Sequence, residues 1–161
     1  VPVVRINVSA REIADPDVRG AWIGVSWSHT QAHFARAVLE SVAFEYAWYL
    51  KILSENLPDL KLVETRAVGG GARSQVWNQI KADVLNVPYQ RLQGNEFGTW
   101  GAAMIAGKAA GLIDNLADHA EKTALTHGQP IRPTAQNHAL YQPIVNKYIE
   151  MEQTLNHFYT H

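Results

Sequence analysis

Apolar residues recur along this chain with two different periods, and the change from one to the other marks where the backbone turns. Residues 61–68 (Lys61-Leu62-Val63-Glu64-Thr65-Arg66-Ala67-Val68) alternate in part and carry β-branched side chains, which predicts a strand. From Ser74 onward the spacing becomes helical, with Trp77, Ile80, Val84 and Val87 on one face. Upstream, residues 22–25 read as a short strand. A long helix follows, whose predicted buried stripe is Ala35, Leu39, Val42, Tyr46, Tyr49 and Leu53, ending before Pro58. Residues 1–20 hold a short apolar stretch (Val3, Val4, Ile6, Val8) and then an acidic loop containing Pro16. Downstream come an extended piece over 87–92 opened by Pro88, a Gly- and Ala-rich helix over 99–112, and a Pro- and Gly-containing loop over 126–133. The last helix, about 136–158, carries Tyr141, Ile144, Tyr148, Met151, Leu155 and Phe158 on one side. The order of elements is that of an α/β domain.

The crossing from strand to helix is the run Val68-Gly69-Gly70-Gly71-Ala72-Arg73-Ser74. Glycine lets a backbone turn tightly and approach a ligand without a Cβ in the way. The following helix aims its unpaired N–H groups and positive dipole end over the loop, where a phosphate is the usual guest. The same run also suits a plain connecting turn, and the loop alone leaves both readings open. It is not a dinucleotide fingerprint, since no glycine follows Gly71 until Gly94. Nor is it a P-loop: the nearest approach, Gly107-Lys108-Ala109, has Ala where a magnesium-ligating hydroxyl belongs.

Composition narrows the class further. A folded chain of 161 residues buries about 70% of the surface its unfolded form exposes, enough for one domain with a real core. The formal charge is −1 with acids and bases interspersed, which gives no reason to expect nucleic acid or an anionic membrane as partner. Cysteine is absent, so disulfides and thiol chemistry are excluded, and a reducing, cytoplasmic setting is the expectation. No apolar run approaches the ~20 residues of a membrane helix. Asn7-Val8-Ser9 is formally a glycosylation sequon and is read as chance.

Other chemistry-bearing residues have plainer explanations. His29 and His33 stand one helical turn apart, yet Thr30 and Gln31 occupy the places where a zincin needs its Glu, so helix-start capping and packing are expected. Arg36 and Glu40 have the spacing of a helical ion pair. Trp22, Trp27, Trp48 and Trp100 are expected in the core or at an interface, whereas Trp77, in the first turn after the loop, could border an adenine.

Three blocks of the sequence resemble the FGGY family of carbohydrate kinases. Gly20-Ala21-Trp22-Ile23-Gly24-Val25, with His33-Phe34-Ala35-Arg36-Ala37-Val38-Leu39-Glu40 after it, is similar to the family's C-terminal signature. Gly69-Gly70-Gly71-Ala72-Arg73-Ser74-x-x-Trp77-x-Gln79-x-x-Ala82-Asp83-Val84 is similar to its adenosine-binding segment, in the form found in xylulokinases. Glu96, Gly101-Ala102-Ala103 and Ala106 through Gly111 resemble its small-residue helix. The resemblance implies an actin-like, ribonuclease H-like ATPase lobe, a mixed sheet with packed helices. Residues 1–161 are then expected to be the single C-terminal nucleotide-binding lobe of a two-lobe sugar kinase. The N-terminal lobe, with the FGGY sequence, the first phosphate loop and the catalytic base, lies outside them.

The implied activity is transfer of the ATP γ-phosphate to a sugar or polyol hydroxyl, with Mg²⁺, and with ATP or ADP and the sugar as partners. The sugar would be held mainly by the other lobe, and this chain alone would be inactive. The cofactor-binding residues implied are Gly70, Gly71, Ala72, Ser74 and Gln75, with no catalytic residue and no metal ligand in this chain. Gly70, Gly71 and Ala72 would let backbone lie against the α-phosphate and ribose. Ser74 would cap the helix or hydrogen-bond to the nucleotide, and Arg73 is not assigned. The helix over 99–112, with Gly98, Gly101 and Gly107, is a candidate for lobe closure. A homodimer is left open, and the alternative reading is a non-catalytic actin-like module that binds nucleotide or a partner.

Overall fold

A computed structural model describes residues 3–5, 20–94 and 96–159. The elements, in chain order, are β1 (Val3–Arg5), β2 (Ala21–Ile23), α1 (Gln31–Asn56), β3 (Thr65–Ala67), a 3-10 turn (Gly70–Arg73), α2 (Gln75–Leu85), β4 (Tyr89–Arg91), α3 (Phe97–Ala109), α4 (Leu116–Thr123) and α5 (Ala135–Tyr159). The core lies where α1, α2 and α5 meet. Phe44 and Trp48 of α1 pack with Ile80 and Val84 of α2 and with Tyr141, Val145, Tyr148 and Ile149 of α5. Phe44 sits 5.9 Å from the Tyr141 ring and 5.6 Å from that of Tyr148, within the range of favourable aromatic pairs.

The long first helix is present, but a different stripe is buried. Ala37, Glu40, Ser41, Ala43, Phe44 and Trp48 face the core, while Ala35, Tyr46 and Leu53 of the predicted stripe are exposed and Leu39, Val42 and Tyr49 half-buried. The helix has apolar residues on both sides. The periodicity runs through one of these sides, whereas α2 and α5 pack on the other, where Phe44 and Trp48 stand among Ala37, Ser41 and Ala43. Glu40, buried on that side, accepts hydrogen bonds from Arg36 Nε at 2.7 Å and from the Tyr141 hydroxyl at 2.8 Å. The expected Arg36–Glu40 pair is therefore part of a three-residue junction between α1 and α5.

Helix α2 starts at Ser74 and stops at Asn86, which takes the left-handed conformation (φ 54°, ψ 38°) that Asn tolerates better than most residues. Asp83 of α2 fastens the start of α5. Its Oδ1 accepts from Thr134 N at 2.7 Å and Gln79 Nε2 at 3.0 Å, and its Oδ2 from Asn137 Nδ2 at 2.9 Å.

Among the described residues, strands pair in two couples. β1 and β2 are antiparallel, with Val3 opposite Ile23; β3 and β4 are parallel, with Thr65 opposite Tyr89, and α2 is their crossover. β3 occupies three of the eight residues over 61–68, because β4 offers only three partners. The loop over 126–133 is more ordered than its composition suggests. Tyr89 and Ile131 exchange backbone hydrogen bonds at 2.9 and 2.8 Å, and Leu92 bridges Thr126. α3 starts two residues earlier than predicted and ends at Ala109, with no residue fully buried. α4, absent from the sequence-based expectation, is capped by Asn115, whose Oδ1 accepts from Ala117 N at 2.9 Å.

Candidate functional site

The conformation of the predicted loop is set residue by residue. Gly69 has φ +80°, a region strained for any L side chain, and it redirects the chain as it leaves β3. The 3-10 turn then closes through Ala72 N to Gly69 O at 3.2 Å and Ser74 N to Gly71 O at 3.3 Å. Ser74 is the N-cap of α2, its Oγ accepting from Trp77 N at 3.2 Å, as expected for a capping serine. Asn78 reaches back from the helix and donates through Nδ2 to Ala72 O at 2.8 Å. Its Oδ1 is the one buried side-chain polar atom without a partner among the described residues.

Gly70, Gly71, Ala72, Ser74 and Gln75 are thus brought together, in different roles. A Cβ on Gly70 would meet nothing within 4 Å, so this stretch of backbone is open to a ligand. A Cβ on Gly71 would lie 2.7 Å from the Trp77 ring, so glycine here serves packing inside the protein. Ala72 is buried; Ser74 and Gln75 are exposed. Arg73 is exposed too and is not without a partner. At the start of α2, the N–H groups of Gln75 and Val76 make no hydrogen bond among the described residues, and no acidic side chain stands in that first turn. An open glycine followed by two unpaired N–H groups at a helix N-terminus fits the phosphates of a nucleotide.

The Trp77 ring packs beside Gly71 of the loop. Its Nε1 donates to Leu39 O at 3.0 Å, tying α2 to α1, and the Lys81 ammonium lies 3.7 Å from the centre of its ring. Both residues line a groove of about 560 Å³ that Tyr46, Tyr49 and Leu50 of α1 share with the β3 segment and Tyr89. Burial holds the Lys81 ammonium below the usual lysine range and pushes the Tyr89 hydroxyl up to about 12.

His29 and His33 are in ring contact at 5.4 Å. Ser26 N donates to His29 Nδ1 at 2.8 Å and Thr30 N to His33 Nδ1 at 3.1 Å, so both rings help close the turn before α1. Of the four tryptophans expected in the core or at an interface, Trp48 is buried and Trp100 half-buried, while Trp22 is 45% exposed and Trp27 fully exposed. Gly107 of α3 is held tightly, 3.0 Å from Ile113 if given a Cβ, whereas Gly98 and Gly101 face open space.

Asn78 and Lys81 are the site residues that sequence reasoning missed. Both had a signal: Asn78 stands one turn after the capping Ser74, and Lys81 one turn after Trp77, a spacing that lets a cation reach an aromatic face.

The chain is similar to known proteins in sequence and in fold. The C-terminal domain of the FGGY family of carbohydrate kinases matches residues 6–110. A xylulose kinase of Staphylococcus epidermidis is 32% identical over 134 residues, covering 83% of this chain and 26% of that protein. A glycerol kinase of Dechloromonas aromatica is 42% identical over 111 residues, covering 69% and 21%. The crystal structure of xylulose kinase from Rhodospirillum rubrum superimposes with a TM-score of 0.69 at 31% identity, over 92% of this chain and 30% of that one. The chain thus spans about a quarter of the length of the curated relatives it matches.

Proposed function

This chain belongs to the FGGY family of carbohydrate kinases, matching its C-terminal domain, and from that premise we propose that it is the nucleotide-binding lobe of an ATP-dependent sugar or polyol kinase. The observation that carries the reading is the loop between β3 and α2. Gly69 turns the chain, Gly70 leaves its backbone open, and the N–H groups of Gln75 and Val76, at a capped helix start, make no hydrogen bond among the described residues.

Phosphoryl transfer asks a protein chiefly for positioning and charge stabilisation. In this lobe the backbone at Gly70 lies along the nucleotide, and the N–H groups of Gln75 and Val76, with the positive end of α2, hold phosphate oxygens. Ser74 keeps the helix start in place through Trp77 N, and Asn78 holds the loop down through Ala72 O. ATP bound there supplies the phosphoryl group, and Mg²⁺ carried on its phosphates offsets their charge. Among the described residues no group of three His, Cys, Asp or Glu side chains could hold a metal ion. The deprotonation of the sugar hydroxyl and most sugar contacts belong to the other lobe. The xylulokinase-like branch is favoured by the form of the run Gly69-Gly70-Gly71-Ala72-Arg73-Ser74 and by the 32% identity to a xylulose kinase over 134 residues.

An amide NMR titration of this chain with Mg-ADP, with GDP as control, tests the reading. Shifts concentrated in residues 69–77 and larger with ADP are expected. Shifts elsewhere, or none at millimolar nucleotide, would remove the nucleotide site from this loop.

A further inference from the structure

The bonds that close the loop between β3 and α2 are long ones. Ala72 N reaches Gly69 O at 3.2 Å, Ser74 N reaches Gly71 O at 3.3 Å, and Trp77 N reaches the capping Ser74 Oγ at 3.2 Å. All three stand at or beyond the long end of the range for an N–H donor and an oxygen acceptor. A side chain makes a shorter one. Asn78 Nδ2 donates to Ala72 O at 2.8 Å, in a buried setting where a hydrogen bond is stronger than in water. That side chain starts from a firm base, because Asn78 N is bonded to Ser74 O at 3.0 Å and the next turn of α2 places Ile80 and Val84 in the core.

Two consequences follow from this amide, one at each end. Because the bond is buried, Ala72 O is drawn into the protein. A carbonyl turned instead to the open side at Gly70 would set its lone pairs against a phosphate oxygen. At the other end, Asn78 carries a cost to folding. The residue is 3% exposed, and its Oδ1 has no hydrogen-bond partner among the described residues. A buried acceptor left unpaired destabilises a fold, and its presence calls for a reason. Leucine, of nearly the same size, would fill the place with no orphaned oxygen, but it has no donor for Ala72 O.

We propose that Asn78 is a positioning residue for the nucleotide. It touches no phosphate and acts through Ala72, holding that carbonyl inward. The open backbone at Gly70 and the N–H groups of Gln75 and Val76 are thereby aligned before the nucleotide arrives. A loop already in its receiving form spares the ordering cost of binding, so the tie is read out as affinity for ATP. The inference rests on the reading of this loop as the nucleotide site.

Steady-state kinetics of the complete kinase test it. Asn78→Asp keeps the shape of the side chain and sets an oxygen, in place of a donor, opposite Ala72 O. It should raise the KM for ATP roughly tenfold, the loss of about one buried hydrogen bond, and leave the sugar KM within about twofold. Asn78→Leu removes the donor and the orphaned oxygen together and should raise the KM for ATP by a similar factor. Folded variants with an unchanged KM for ATP would overturn the proposal. So would equal rises in both KM values, the mark of a side chain that only holds the domain together. The unaltered complete protein supplies a check that needs no variant. The Asn78 side-chain N–H should exchange slowly with and without Mg-ADP, and fast exchange in the free protein would show that the loop is not held in advance. If Mg-ADP shifts no amide in residues 69–77 of the unaltered protein, the nucleotide reading falls and this inference with it. Shifts there, with the KM for ATP unchanged in both variants, would end this inference alone.

Discussion

A Cβ added at Gly71 would meet the Trp77 ring at 2.7 Å. The Trp77 ring cannot retreat from a Cβ at 71, because Nε1 is tied to Leu39 O and the ammonium of Lys81 covers its face. Gly71→Val is therefore expected to destabilise the domain by about 1–3 kcal/mol, an overpacking cost. Gly70→Ala should leave stability within about 0.5 kcal/mol, because its Cβ enters open space. In the complete kinase Gly70→Ala should raise the KM for ATP well above its effect on the sugar KM. Denaturant midpoints and steady-state kinetics on the pair separate packing from binding. Equal KM effects from Gly70→Ala would mean that this backbone does not touch nucleotide. Nothing in the sequence distinguishes these neighbouring glycines; the difference comes from a side chain six residues away that folding brings back to position 71.

Among the elements, α1, α2 and α5 were legible from apolar spacing, since long helices repeat their signal several times. Their faces were less so. α1 has apolar residues on both sides, and the buried side mixes Phe44 and Trp48 with Ala37, Glu40, Ser41 and Ala43, so its hydrophobicity pattern does not single that side out. α4 spans only eight residues, too few for a period to stand out, though Asn115 before Leu116 and Asp118 is a readable cap. Asp83 shows how one side chain can fix an element distant in sequence. Its carboxylate takes the Thr134 N–H, Gln79 and Asn137, and stands at the positive end of α5. Asp83→Ala is expected to lose about 3 kcal/mol of unfolding free energy, and hydrogen exchange should quicken first at 134–140. Uniform acceleration over the whole chain would indicate that Asp83 does not specifically hold the start of α5.

At the scale of the molecule, the glycine loop could be read from the sequence because all its parts are contiguous. The groove could not, since α1, β3, α2 and β4 each contribute only a few residues to it. The whole chain should also carry a signature in alkali. Burial raises Tyr141 to about 12, reinforced by its hydrogen bond to Glu40, and burial raises Tyr89 to about 12. Each hydroxyl stays protonated in the fold while the unfolded chain begins to ionise near 10. Their contribution to stability is therefore complete below about pH 10 and lost between about 10 and 12. Tyr141→Phe should lower stability at neutral pH yet make that alkaline decline shallower, and an unchanged slope would count against the shift. A last consequence concerns anyone redesigning the surface of α1 to improve solubility. Tyr46 and Leu53, at 40% and 41% exposed, invite replacement by charged residues. Tyr46 also belongs to the wall of the groove. A Lys there would set a second ammonium on the wall of a groove that Lys81 already lines, so a change made for solubility would carry a charge penalty inside the fold.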